Sequence, residues 1–210
     1  MPDNETAAVP RGRRAETKAA NRQSILDAAR RVFARLGVDA ATVRDIIRET
    51  DLASGTFYNY FKSKEEVFEA IADDSTKRFR PILQAVRETN TEFEAYIYAA
   101  YRAYFQFLYD ENNEAISRGA PHMALIGVRV DTPEMKSIVA EIRNDLDALF
   151  QRGQLPPMDA DYLASAAVGI ARELGDVMLQ RRPVDVDGAT RFAANLLLNG
   201  LDFSKARAAE

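Results

Sequence analysis

Cysteine is absent from this 210-residue chain, and histidine occurs once, as His122. No disulfide framework and no thiolate zinc site can form without cysteine. A histidine-based metal centre or triad would have a single ring to draw on. Glycine (10) and proline (8) are sparse, which disfavours turn-rich sandwiches and barrels and favours helices. No apolar run approaches the roughly 20 residues that span a bilayer. The opening segment MPDNETAAVPRGRRAE has no apolar core of a secretory signal, so a soluble, cytoplasmic protein is expected. Gly-x-Ser-x-Gly, the dinucleotide glycine fingerprint and the P-loop are all missing. The expectation is therefore a non-enzyme with no cofactor and no metal.

What is present begins with an uneven charge. The chain carries a net charge of −4, yet residues 11–48 hold ten Lys/Arg against four Asp/Glu. Such a segment can meet a polyanion, or it can be an ordinary solvated helix face; charge alone leaves both open.

Helical periodicity follows. Residues 1–16 are polar and aperiodic and read as a flexible basic arm. Arg11, Arg13 and Arg14 could enter a minor groove or merely solubilise the chain. From Thr17 onward, Ile25, Ala28, Ala29, Val32, Phe33 and Leu36 form one apolar stripe, and Gly37 supplies a stop. Thr42 and Asp45 have capping-box spacing, as do Ser63 and Glu66. Between them a short helix at about 54–60 buries Phe57 and Phe61. Residues 17–73 thus read as a small helix-turn-helix domain, a unit that can place one helix in a major groove. Tyr58 can offer its phenol to a phosphate, Asn59 can reach a phosphate or a base edge, and Lys64 opens a helix whose N-terminus favours phosphate. The competing reading is a plain three-helix core with exposed tyrosines.

The segment TVRDIIRETDLASGTFYNYFKSKEEVFEAI closely resembles the DNA-binding region of the tetracycline-repressor (TetR) family. Thr42, Ile46 and Ile47, then Gly55-Thr56-Phe57-Tyr58 with Phe61, then Ser63-Lys64-Glu65, carry the resemblance, with Ala29, Phe33 and Gly37 in the first helix. It covers about residues 17–73. It implies an all-α homodimer that grips a double-stranded operator with two-fold related half-sites, with Tyr58 and Lys64 at phosphate-binding positions and Thr42, Thr56 and Asn59 at positions that often touch DNA. Arg44, Ser54 and Gly55, beside them in sequence, complete the expected contact set. Two departures stand out: Asp51 occupies the turn where glycine is frequent, and Ala53 replaces the usual serine cap.

Residues 74–210 are expected to form a helical effector-binding and dimerisation domain, giving about nine helices in all. Pro81 should kink or divide its helix. Asn90/Thr91, Thr132 with Pro133, Asp159 and Asp185 mark helix starts, and residues 126–130 read as loop. Eight of nineteen aromatics lie within 93–109, five of them tyrosines. Buried phenols need partners, which suggests a cavity bordered by Tyr101, Tyr104 and Phe105, with His122 and Met123 at its edge; a core helix with hydroxyls at solvent edges is the alternative. The resemblance puts the dimer contact on the last two helices, at Ala167, Ile170, Leu174, Phe192, Leu196 and Leu197, some of which must also serve the chain's own core. A repressor released by a small, mostly apolar effector is the leading function. A helical small-molecule carrier without DNA binding is the alternative.

Overall fold

A computed structural model describes residues 11–117, 132–156 and 158–200. They form eight helices and no strand: α1 Arg11–Leu36, α2 Val43–Arg48, α3 Ser54–Phe57, α4 Lys64–Thr89, α5 Phe93–Ser117, α6 Pro133–Gln151, α7 Ala160–Gln180 and α8 Val186–Asn199. About nine were expected, and eight lie among the described residues. Pro81 lies inside an unbroken α4. A proline removes one backbone donor, and the rest of this 26-residue helix is held by packing at both of its ends. Residues 126–130 lie outside the described residues.

Local sequence sets most boundaries. α1 starts at Arg11, six residues before Thr17, where the helical pattern was read to begin, so the expected arm is helical from that point. It stops where Gly37 takes φ 77° and its N–H caps the Phe33 carbonyl at 2.9 Å. Thr42 and Asp45 form the reciprocal box read from the sequence. The second box is only half made. Ser63 Oγ accepts from Glu66 N, but the Glu66 carboxylate reaches back to Lys62 N instead of Ser63 N. Thr132, Asp159 and Asp185 each cap through the side chain. Asn90 closes α4 rather than opening α5.

Two hydrophobic clusters share α4. Ile25, Val32, Phe33, Ile46, Phe57, Phe61, Val67 and Ile71 make the first. Leu36, expected on the same stripe, is instead 42% exposed. Phe79, Leu83, Tyr101, Phe105, Leu108, Ile138, Met178 and Leu179 belong to the second. Between them α4 buries two hydroxyls, Ser75 and Thr76, and the Thr76 hydroxyl satisfies itself on the Ala72 carbonyl. Polar residues at this junction keep the two apolar surfaces from merging. Ion pairs cross it: Asp74 holds Arg30 of α1 at 2.7 Å and Arg78 at 2.7 Å, and Arg78 reaches Glu111 of α5.

α5 is the centre of the second cluster and packs on α4, α7 and α8. Its approach to α7 is close because residue 175 is glycine. A Cβ there would stand 2.5 Å from Leu108 Cδ1, so even alanine would require the core to give way.

Candidate DNA interface and ligand cavity

The first cluster positions α3 by its rings. Phe57 (1% exposed) and Phe61 (3% exposed) are buried and Tyr60 packs half-buried on the same cluster, while most of the other residues around them turn outward. Ser54, Gly55, Tyr58 and Asn59 are exposed and Thr56 is half-buried. Tyr58 is 59% exposed, its ring set edge-on against Phe57 with centroids 5.4 Å apart. α3 is shorter than expected. Past Phe57 the chain continues as tight turns, Asn59 N donating to Thr56 O and Tyr60 N to Phe57 O. Ala53 is the N-cap and provides no side-chain bond, so Ser54 is the first helical residue and does not replace the missing cap.

Gly55 is informative because the fold does not require it. It is exposed, and an added Cβ would meet nothing within 4 Å. Glycine in a helix costs about 0.5–1 kcal/mol relative to alanine, so a bare backbone here favours close approach by something outside the chain.

Thr42 and Arg44 are also exposed. The Thr42 hydroxyl is already engaged, donating to Asp45 Oδ2 at 2.6 Å and accepting from Asp45 N at 3.2 Å. The Thr42 backbone N–H also donates to Asp45 Oδ2, at 3.0 Å, and the hydroxyl first and this N–H second hold the Asp45 carboxyl below its usual range. Lys64 differs most from expectation. Its ammonium donates to the carbonyls of Val38 (2.8 Å), Asp39 (2.8 Å) and Ala41 (3.0 Å). All three N–H donors of the ammonium are thus matched by carbonyls of the α1–α2 loop. Its visible role is to brace that loop against the start of α4.

The basic segment is partly self-neutralised. Arg35 and Arg31 both engage Glu49 at the end of α2, Arg35 Nη1 at 2.7 Å from its carboxylate; this pairing pulls the Glu49 carboxyl below its usual range. Arg30 is held by Asp27 and Asp74. Arg44 and Arg48, on exposed positions beside α3 in sequence, form no salt bridge among the described residues.

The second cluster lines a cavity of about 100 Å³, open on one side, between α4, α5, α6 and α7. Tyr101 and Tyr104 line it, as expected, together with Phe79, Leu83, Ile138 and Ala171. Phe105 does not; it is fully buried behind the wall, stacked on Tyr101 with centroids 6.0 Å apart. His122 and Met123 lie outside the described residues. The Tyr101 hydroxyl donates to Ala167 O at 3.1 Å, and burial pushes this phenol well above its usual range. It is therefore a wall held in place, not a free handle. The contributions of α4 and α6 were not read from the sequence, since an aliphatic residue on a cavity wall has the same pattern as one in a dry core.

An ion-pair ladder closes α6 onto α4 beside this cavity. Arg80 reaches Glu134, Ser137 and Glu141. Arg87 Nε lies 2.9 Å from Asp145 Oδ2, as an ion pair rather than a well-aligned hydrogen bond.

Residues 25–71 match the family described as "Bacterial regulatory proteins, tetR family". By this segment the chain carries a DNA-binding region similar to that of the tetR family. The repressor KstR2 of Rhodococcus jostii is 33% identical over 90 residues, covering 41% of this chain and 44% of that protein. The repressor Rv1474c of Mycobacterium tuberculosis is 39% identical over 64 residues, covering 30% and 34%. These alignments span less than half of either relative. The uncharacterized regulator YdgC of Bacillus subtilis is 26% identical over 187 residues, 86% of this chain and 92% of its own. Among solved structures, the transcriptional regulator FadR from Bacillus subtilis in complex with stearoyl-CoA superposes with a TM-score of 0.69 at 19% identity, covering 86% of this chain and 99% of that one. That likeness shows that this chain shares the fold of that regulator along most of its length.

On the last two helices the expected dimer residues divide. Phe192 is 55% exposed and Leu196 half-buried. Ile170, Leu174 and Leu197 pack on the chain's own second cluster, and Ala167 lines the cavity. Two exposed residues absent from the expectation, Tyr162 (78%) and Val177 (43%), lie on one face of α7 with Ala166, Gly169 and Glu173.

Proposed function

We propose that this chain is a ligand-responsive transcriptional repressor, acting in the cytoplasm as a homodimer on an operator with two-fold related half-sites. The observation that carries the reading is α3 with the turns that follow it. Phe57 and Phe61 are buried, and Tyr58 and Asn59 stand outward beside a glycine that the fold does not need. An exposed phenol and amide at the end of α3, near Arg44 and Arg48 in sequence, suit phosphate anchoring around a small reading surface. Tyr58, Asn59, Ser54, Gly55 and Arg44 form the contact set, with Thr42 and Lys64 holding the frame.

Two copies meet through the outward residues of α7 and α8. Tyr162, Val177, Phe192 and Leu196 supply apolar area, and Gly169, whose added Cβ would meet nothing within the chain, lets a partner helix come close. Release follows from the cavity. At about 100 Å³ it is smaller than the roughly 300 Å³ at which sites for drug-sized ligands begin. An effector therefore has to part α4 from α6. α4 continues into the first cluster, so its displacement moves α3 relative to the partner's copy and spoils the fit to successive major grooves.

Selection from a random duplex library with the full chain tests this reading. Enrichment of paired, inverted half-sites is the expected result. Failure to enrich any sequence would remove the DNA-binding reading and leave a helical small-molecule carrier.

A further inference from the structure

The cavity does not end at its apolar walls. Met135, Val168 and Arg172 line it and also line a second, polar groove between α6 and α7, about 520 Å³ in volume. The first space is almost wholly apolar; the second holds three cations, Lys136, Arg143 and Arg172, with one carboxylate, Asp161. The two spaces therefore meet at a threshold where an apolar wall becomes a cationic one.

Those cations are weakly committed. Lys136 is exposed and forms no salt bridge among the described residues. Arg143 Nη1 stands 3.6 Å from Asp161, with both side chains well exposed. Arg172 Nε lies 3.0 Å from the carboxylate of its chain neighbour Glu173, which is 66% exposed. Exposed pairs of this kind hold little energy, so an anion offering several acceptors can displace them with charge-assisted hydrogen bonds.

We propose that the effector is an amphipathic anion. Its alkyl chain enters the cavity under Tyr101 and Tyr104, and its carboxylate or phosphate head rests in the α6–α7 groove on Lys136, Arg143 and Arg172. This rests on reading the cavity as the effector site, and it adds the head group and the residues that hold it. Arg172 is the hinge of the arrangement, because it alone among the cations lines both spaces.

Isothermal titration of the full chain with decanoate, decyl phosphate and decanol, each below its self-association range, tests the proposal. Decanoate and decyl phosphate are expected to bind at least about tenfold more tightly than decanol. The double variant Lys136→Ala/Arg172→Ala should lose about tenfold in affinity for both anions and none for decanol. Its two substitutions sit on exposed positions, and an unchanged circular dichroism spectrum would establish that it folds. Equal affinity for decanol and decanoate, or an unchanged decanoate affinity in the double variant, would overturn the head-group assignment while leaving the cavity as an effector site. Absence of binding by all three would overturn both.

Discussion

Lys64 Nζ donates to the carbonyl oxygen of Val38 at 2.8 Å. The contact joins the first residue of α4 to a loop 26 positions earlier, and the same ammonium also holds the Asp39 and Ala41 carbonyls. It separates two roles that sequence reading had combined. Lys64→Ala should cost about 2 kcal/mol of stability, because charge-assisted bonds are lost and their carbonyls left partly buried. Tyr58→Ala, at an exposed site, should change stability by no more than about 0.5 kcal/mol. Urea denaturation of the two variants measures the contrast, and equal costs would contradict it.

Gly55→Ala separates fold from function more sharply. Nothing in the chain opposes the added methyl, so stability should stay level or rise by up to about 1 kcal/mol. A DNA backbone approaching α3 would meet that methyl, so operator affinity should fall at least about tenfold. Thermal unfolding and a binding titration on one preparation check both halves. Unchanged affinity would mean the glycine serves neither the fold nor the interface.

Acid should weaken the first cluster's frame in a defined direction. Asp45 and Glu49 are both held below their usual range, Asp45 first by the Thr42 hydroxyl and Glu49 first by the Arg35 hydrogen bond. A carboxyl depressed in the folded state contributes stability above its unfolded pKa of about 4, and that contribution is lost as pH falls through the folded value. Asp45→Asn should therefore flatten the decline in urea midpoint between about pH 5 and pH 3 relative to the unsubstituted chain. Parallel pH profiles would show that the capping box contributes no such linkage.

The Arg80 ladder should work against the ligand. If Glu134 and Glu141 hold α6 to α4 through Arg80, then Arg80→Ala pre-opens the cavity and removes part of the cost of opening it. Decanoate affinity should rise about threefold, following the population of the open form. A weaker or unchanged affinity, measured by titration, would show that the ladder does not restrain entry.

Much of this was legible in the chain. Apolar stripes and caps at Thr42, Thr132, Asp159 and Asp185 act within one turn of helix, so their spacing is printed in the sequence. Phe57 and Phe61 against Tyr58 and Asn59 could be sorted the same way. Lys64 could not, because backbone carbonyls occur at every residue and only the folded loop shows which three converge. The cavity was half visible. Tyr101 and Tyr104 announced themselves by their hydroxyls, whereas Phe79, Leu83 and Ile138 come from helices whose pairing only the tertiary structure fixes. Ile170 and Leu174, which the resemblance puts at the dimer contact, are half-buried and also pack on the chain's own second cluster, a pairing that only the close α5–α7 approach at Gly175 reveals.

The central claim is that α3 meets DNA through Tyr58. Fluorescence anisotropy of a labelled duplex from upstream of the protein's own gene, or of a selected operator, tests it most directly when run at 50 and 200 mM salt with the unsubstituted chain and Tyr58→Ala. The account predicts sequence-selective binding that falls by orders of magnitude, about 10³-fold if six phosphates are contacted, across that salt range. It also predicts that Tyr58→Ala binds at least about tenfold more weakly at either salt. Binding to the selected operator that ignores salt, or that is identical in Tyr58→Ala, would contradict it.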